Sequence, residues 1–333
     1  MTRSTLHSWS SILLVLCSTS SSTLVLVSGF TNAIFQESVT AQRTAPSKIE
    51  GVEIELPNFD ELFERVQQVS PLARVAMEQK QQQTGKRGFE AAAQYDNELK
   101  WKTIENNKKR TVHKIEKIDN FQNLGVPILR FRSSLKGPCL GDAFANFIMD
   151  LQERQKWDAQ IANVREEYPI HDLDAANIAM GFGKFGDCSR LGVGYCQTKA
   201  AFGVSPREQL TMCGIQQFQD GSTVIWGTEM EEWHNHLLPE EEDRHVRAKS
   251  HIFATTLVPT SDDAFDVEYV LQMDLGGMPN FLTTPVICDT VKSLFKHAEK
   301  FFQGQEGSDL ERWIERQATN DSFLNRHSIL LPH

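Results

Sequence analysis

Residues 266–304, DVEYVLQMDLGGMPNFLTTPVICDTVKSLFKHAEKFFQG, carry two hydrophobic periods one after the other. Over Asp266–Asp274, the side chains of Val267, Tyr269, Leu271 and Met273 share one face, because strand side chains alternate with period two. Over Thr284–Phe302 the period changes. Val286, Ile287, Val291, Leu294, Phe295, Ala298, Phe301 and Phe302 form a wide apolar stripe at helical spacing. Thr284 is a good N-cap, Pro285 suits the first helical position, and Gly304 can end the helix. Nineteen residues at about 1.5 Å each give a helix of roughly 28 Å, long enough to lie across a sheet.

Working outward, the chain before this helix reads mainly as strands. Trp101–Glu105 and Thr111–Ile118 flank the turn signal Asn106-Asn107-Lys108 and predict a hairpin. Ile128–Leu135 is a third strand. Asp142–Trp157 has a helical period, with Ala143, Phe144, Phe147, Ile148 and Leu151 on one face. Further strands are expected over Ala175–Phe182, Leu191–Thr198, Arg207–Phe218, Thr223–Glu231 and Val246–Val258. Strands gathered between helices give an α+β domain rather than alternating βαβ units. A curved antiparallel sheet closed by the long C-terminal helix leaves an apolar cavity between them.

Five segments are expected: 1–29, 30–57, 58–95, 96–304 and a tail, 305–333, in which Leu310, Trp313 and Ile314 make one more helical contact. Asn58 is a helix N-cap, with Glu61 three residues on and Phe59, Leu62, Phe63, Val66 and Val69 at helical spacing. Pro71 ends or kinks that helix. Residues 78–88, polar and rich in Gln, read as a linker or a frayed helix end.

The 333 residues are 40% hydrophobic and 23% charged, which fits a globular protein with a sizeable core and excludes a fully disordered chain. A formal charge of −10 repels phosphate backbones, so no nucleic-acid partner is expected. Residues 1–36 contain no Asp or Glu, and fourteen of them are Ser or Thr. Arg3, the apolar patches Ile12–Leu16 and Leu24–Val27, and the small residues Ser28-Gly29 read as a secretory signal peptide. The acid-poor segment that follows, opening at Phe30, resembles the two-part leader of algae with complex plastids. Entry into the secretory pathway is expected, towards a complex plastid or the ER lumen and exterior. Losing the leader removes Cys17 and leaves Cys139, Cys188, Cys196, Cys213 and Cys288, an odd set without C-x-x-C. Buried free thiols are the first expectation; a Cys188–Cys196 bridge stays open.

Four short motifs occur in order over about residues 98–303. Arg154-Gln155-Lys156-Trp157-Asp158 resembles the R-x-x-W-D element of the START (StAR-related lipid-transfer) family. Ser205-Pro206-Arg207-Glu208 resembles its S-P-R-D, with Glu in place of Asp. Val246-Arg247-Ala248 followed by Pro259 fits its next hairpin, and Asp274-Leu275-Gly276-Gly277-Met278-Pro279 resembles its D-x-x-G-x-x-P. The resemblance implies a helix-grip fold around a lipid cavity, a single lipid ligand, transient membrane contact, and carriage rather than catalysis. An acyl chain of about 17 methylenes costs roughly 14 kcal/mol to expose to water, so a lipid monomer needs a sheath to cross it. The lid is expected to be Val286–Phe302. Several relatives place a buried Arg six residues after the Pro-Arg arginine; here that position is Cys213, which leaves the polar anchor open.

The candidate cavity residues are Arg207, Cys213, Trp226, Tyr269, Met273, Val291, Leu294 and Phe295. Trp226 and Tyr269 either hold a quaternary ammonium group or simply pack, which is the commoner role of such rings. Arg207 is expected to pair with Glu229 or Glu231 at a strand start. Gly181-x-Gly183-x-x-Gly186 lacks a following helix and is rejected as a dinucleotide fingerprint, so no cofactor is expected. His234, His236, His245 and His251 match no zinc spacing, and no metal is expected. The basic run Lys108-Lys109-Arg110 reads as a solvated hairpin tip rather than a headgroup contact. The expected protein is a monomeric lipid carrier. The alternatives are a cyclase-like enzyme that reacts its substrate in the same cavity, and a lipid sensor.

Overall fold

The computed structural model describes residues 57–170, 185–200, 205–230, 245–303 and 310. Helix α1 (Phe59–Val69) starts where Asn58 Oδ1 accepts the Glu61 N–H at 3.3 Å. Ser70 ends it and caps α2 (Pro71–Met77), in which Pro71 takes the first position. The stretch 78–88, expected to be a linker or a frayed helix end, contains the one-turn helix α3 (Lys80–Thr84), and a second, α4 (Gly88–Ala92), starts at its last residue. A single turn carries no amphipathic period, so the sequence does not announce it.

The strands are β1 (Lys102–Asn106), β2 (Val112–Ile118), β3 (Ile128–Lys136), β4 (Ile161–Ile170), β5 (Asp187–Thr198), β6 (Arg207–Gln217), β7 (Thr223–Glu229), β8 (Val246–Arg247), β9 (Lys249–Ser261) and β10 (Ala264–Asp274). They form one ten-stranded sheet in the order β1-β2-β3-β10-β9-β7-β6-β5-β4, antiparallel throughout, with β8 pairing in parallel with the start of β6. Strand β4 is not assigned from the sequence, since Arg165-Glu166-Glu167 and Pro169 interrupt any strand alternation. It is an edge strand, where a proline is tolerated. The strand expected over Ala175–Phe182 lies outside the described residues.

One helix was expected over Asp142–Trp157; two are found, α5 (Gly141–Met149) and α6 (Leu151–Arg154). Asp150 adopts an extended conformation between them, and its Oδ1 accepts the Glu153 N–H at 3.0 Å, which starts the second helix afresh. The C-terminal helix α7 (Asn280–Phe302) begins four residues before Thr284, with Pro279 as its N-cap. Pro285 therefore lies inside the helix and withholds the N–H that would bond the Phe281 carbonyl. The turn leading into α7 needs left-handed backbone at Gly276 and Gly277, and a Cβ on Gly276 would stand 2.4 Å from Val246 Cγ1.

Both faces of the sheet are covered. On one face α1, α2 and α4 pack their apolar stripes against Trp226, Ile252, Ala254 and Val270. On the other, α5 and α7 pack against Phe131, Ile215, Leu257 and Phe265. This second layer, an antiparallel sheet closed by the C-terminal helix, is the helix-grip fold.

The first layer is held by charge as well. Arg132 donates to Asp96 and, at 2.7 Å, to Glu268. Arg130 donates to Glu116 at 2.7 Å, pairs with Asp96 at 3.3 Å and lies over the Trp101 ring. Glu268 is completely buried and also accepts from Ser70 Oγ at 2.7 Å and the Leu72 N–H at 3.1 Å. Three carboxylates and two guanidiniums thus tie the α1–α2 corner and residue 96 to the sheet.

No disulfide links any two of the five described cysteines. A Cys188–Cys196 bridge is excluded: both lie on β5, eight residues apart, which is about 26 Å of extended chain.

Candidate functional site

On the α7 side of the sheet, towards the β4–β6 edge, lies a cavity of about 80 Å3. That volume holds about five to eight water molecules. Its wall is built by alternation. Strand β10 contributes Tyr269, Leu271 and Met273, and β6 contributes Gln209, Thr211 and Cys213. A register shift after Gln272 sets Ser250 of β9 opposite Met273, and Val164 of β4 stands opposite Cys196 of β5. Ile148 and Met149 at the end of α5 and Arg154 at the end of α6 complete the lining. Gly194 has no side chain because Met149 fills the space; a Cβ there would stand 2.7 Å from its Cε.

The wall is apolar apart from one polar group of side chains. Arg154 Nη1 donates to the Ile148 carbonyl at 3.1 Å, and Nε faces Asp158 Oδ2 at 3.4 Å. Asp158 also accepts the Gln160 N–H at 3.0 Å. Gln209 Nε2 donates to Thr211 Oγ1 at 2.7 Å. Ser250 is 1% exposed, and its Oγ has no hydrogen-bond partner among the described residues.

Burial pushes the Tyr269 hydroxyl up to about 12, against the opposing effect of Arg154. Burial likewise raises the Cys196 thiol. Both groups are neutral at neutral pH, so neither is a ready base or nucleophile. Burial works against the charge of Arg154, but the Asp158 carboxylate faces it and the guanidinium stays protonated. The wall therefore offers one fixed cation, several neutral donors and a larger apolar surface.

Of the residues expected here, Cys213, Tyr269 and Met273 line the cavity. Val291, Leu294 and Phe295 lie beside it, buried in the packed core beneath α7, where Phe295 meets Phe144 and Tyr269. Trp226 is on the opposite face of the sheet. It packs edge-on against Phe59 and Phe63, in space left by Gly214, whose Cβ would stand 2.4 Å from the indole. Its neighbours Ile225 and Gly227 take the inner face instead.

Arg207 does not enter the cavity and makes no ion pair with Glu229. It donates to the carbonyls of Leu275, at 2.8 Å, and Gly276, at 3.5 Å, and so pins the turn that leads into α7. Glu229 faces His251 instead, at 3.3 Å. Glu231, His234, His236, Gly181 and Gly183 lie outside the described residues. No group of three metal-ligating side chains occurs among the described residues. Sequence reasoning missed Arg154 and Ser250 as cavity residues. Arg154 was read only as a motif element, and Ser250 lies on the inner face because of a register shift the sequence does not mark.

No protein-family model and no curated protein sequence matches the chain. Among solved structures, human STARD10 is similar with a TM-score of 0.54 at 14% identity, over 85% of this chain and 95% of that one. Human StAR-related lipid transfer protein 5 is similar with a TM-score of 0.49 at 16% identity, over 69% of this chain and 98% of that one. The order of elements, the sheet closed by α7 and the first of these likenesses agree: the chain has the START-type helix-grip fold.

Proposed function

We propose that this protein binds one lipid in the cavity beneath the sheet and carries it between membranes. The observation that carries the reading is the partly open, largely apolar cavity lined by Ile148, Met149, Val164, Phe253, Leu271 and Met273, with polar side chains grouped among them. The fold shared with human STARD10 supports it. The raised Tyr269 and Cys196 ionisations favour a carrier over an enzyme that reacts its substrate here.

At about 80 Å3 the cavity must enlarge to take a whole lipid. The start of α7 is the part suited to move. Phe281, Leu282 and Val286 are 75%, 47% and 43% exposed, and Pro285 interrupts the helix ladder between them. The far end is fixed: Phe301 and Phe302 pack on Phe147, Phe144 and Phe265. The lid on this reading is the first two turns of α7, not the whole helix. The same exposed residues, with Leu124 on the neighbouring loop that Asn280 bonds through the Gly125 carbonyl, form the surface that touches the bilayer.

Native mass spectrometry and organic extraction of the purified protein test this. One defined lipid at about one per chain supports a carrier. An empty protein that also takes up no lipid from labelled vesicles overturns it. Delivery by residues 1–47 belongs to the same proposal, and a diffuse cytosolic signal from that segment fused to a fluorescent protein would contradict it.

A further inference from the structure

Sulfur is concentrated in the cavity wall. Fifteen described residues line it, and four of them are Met149, Cys196, Cys213 and Met273. Six Cys and eight Met in 333 residues would place fewer than one on a wall of that size by chance. Branched aliphatic residues are scarcer there: Ile148, Val164 and Leu271. The adjoining core beneath α7 has the opposite make-up, built mainly of Phe, Leu, Ile and Val. We propose that this wall selects an apolar molecule whose buried part carries π-electrons, an aromatic ring or several double bonds, over a saturated one of equal length. The inference rests on the lipid-binding reading above and adds the class of the ligand's apolar part.

The backbone makes room for these sulfurs. A Cβ on Gly194 would stand 2.7 Å from Met149 Cε and 3.9 Å from its Sδ. A Cβ on Gly227 would stand 3.3 Å from Cys213 Sγ and 3.2 Å from a Phe253 ring carbon. Strands β5 and β7 thus carry no side chain on the inner face at the points where a sulfur lies. Phe253 and Tyr269, edge to face with centroids 5.2 Å apart, add two rings to the same wall. Burial keeps the Cys196 thiol protonated, so its sulfur acts as a soft apolar atom rather than a nucleophile.

A thioether or thiol is more polarisable than a methylene, and its contact with an aromatic ring is stronger than the same contact with saturated carbon. Several double bonds present similarly mobile electrons along a chain. Against a wall of Val, Leu and Ile, saturated and unsaturated tails of one length would differ little. Methionine also turns about three bonds, so Met149 and Met273 can stay against a ligand as the cavity widens. Adaptable filling is the other use of methionine, and it predicts no preference.

Three neutral alcohols of eighteen carbons separate the two uses: octadecanol, linolenyl alcohol with three double bonds, and dodecanol carrying a terminal phenyl ring. Each is offered at equal mole fraction in phosphatidylcholine vesicles and competes with radiolabelled octadecanol for the purified full-length protein. The common bilayer reference removes their different solubilities in water. The expected result is that one or both unsaturated probes compete at least about threefold better than octadecanol, the gain from two sulfur contacts at the weak end of their range. Which of them competes better tells a ring-bearing ligand from a polyunsaturated one. Met149→Leu with Met273→Leu nearly keeps the volume of the wall and is expected to bring the three probes together.

Should that pair fail to fold, Cys196→Ala with Cys213→Ala removes sulfur from β5 and β6 and is expected to lower the preference in the same direction. Equal or weaker competition by both unsaturated probes in the wild type overturns the proposal and leaves the carrier reading standing. A preference that survives both pairs of substitutions also overturns it, since the rings or the shape of the cavity then set it. Failure of every probe to bind removes the carrier reading together with this one.

Discussion

Replacing Phe281, Leu282 and Val286 with serine tests whether the start of α7 is the surface that meets the membrane. Phe281 faces water, while Leu282 and Val286 are about half-buried, so, scaled by the fraction already buried, the triple variant should lose about 2–4 kcal/mol of folding stability and stay folded. Complete burial of such a side chain is worth about 1.5–3 kcal/mol; scaled by exposures of 75%, 47% and 43%, the three together supply about 2.5–5 kcal/mol on entering a bilayer. The triple variant should therefore bind neutral vesicles at least about fiftyfold more weakly. The assay is vesicle flotation, alongside the transfer rate of a fluorescent lipid between donor and acceptor vesicles, with circular dichroism to confirm the fold. Transfer and flotation that match the wild type would refute the reasoning, and docking would then lie elsewhere on the surface.

Two further outcomes follow from the charges. Glu268→Gln leaves Arg132 short of a buried anion and weakens the bonds from Ser70 and Leu72, so urea unfolding should show a loss of about 3–5 kcal/mol; a loss below about 1 kcal/mol would mean that Asp96 alone compensates Arg132. The His297 and Lys156 side chains hold the Glu153 carboxyl down at about 2, a contribution present above the ordinary glutamate range and lost as pH falls towards 2. Urea midpoints measured from pH 6 to pH 2.5 should fall less steeply in Glu153→Gln than in the wild type, and parallel curves would remove Glu153 from the acid response.

Much of the architecture is legible because its elements have one buried side at a time. The alternation of Val267, Tyr269, Leu271 and Met273 and the stripe of α7 are of this kind. The reading weakens where both faces of the sheet are covered. Trp226 is as apolar as its neighbours Ile225 and Val224, so period two tells that the faces differ but not which one meets α7. Strand β4 hid behind charges and a proline that only an edge position tolerates. The break at Asp150 had a signal, an acid three residues before Glu153, within an otherwise continuous apolar period. Helix α7 starts early because Pro279 already sets the helical entry, while Thr284-Pro285 mimics a start. Cys213, Tyr269 and Met273 were found from strand parity and motif spacing, whereas the bulge that places Ser250 and the short helix that presents Arg154 leave no period to read.

The ion cluster of Arg130, Arg132, Asp96, Glu116 and Glu268 has a mechanical consequence. It rivets a layer of helices to the outer face of the sheet, so the sheet is a stiff back plate with no room to bow outward. On the proposed reading, the volume an entering molecule needs comes from the other wall, where α5, α6 and the interrupted start of α7 are held by packing and by scattered hydrogen bonds and ion pairs, such as Asn280 to the Gly125 carbonyl and Lys292 to Glu105, rather than by a buried cluster. If the proposed lipid entry is right, compliance is one-sided: the protein would open like a box whose base is bolted and whose lid is more lightly fastened.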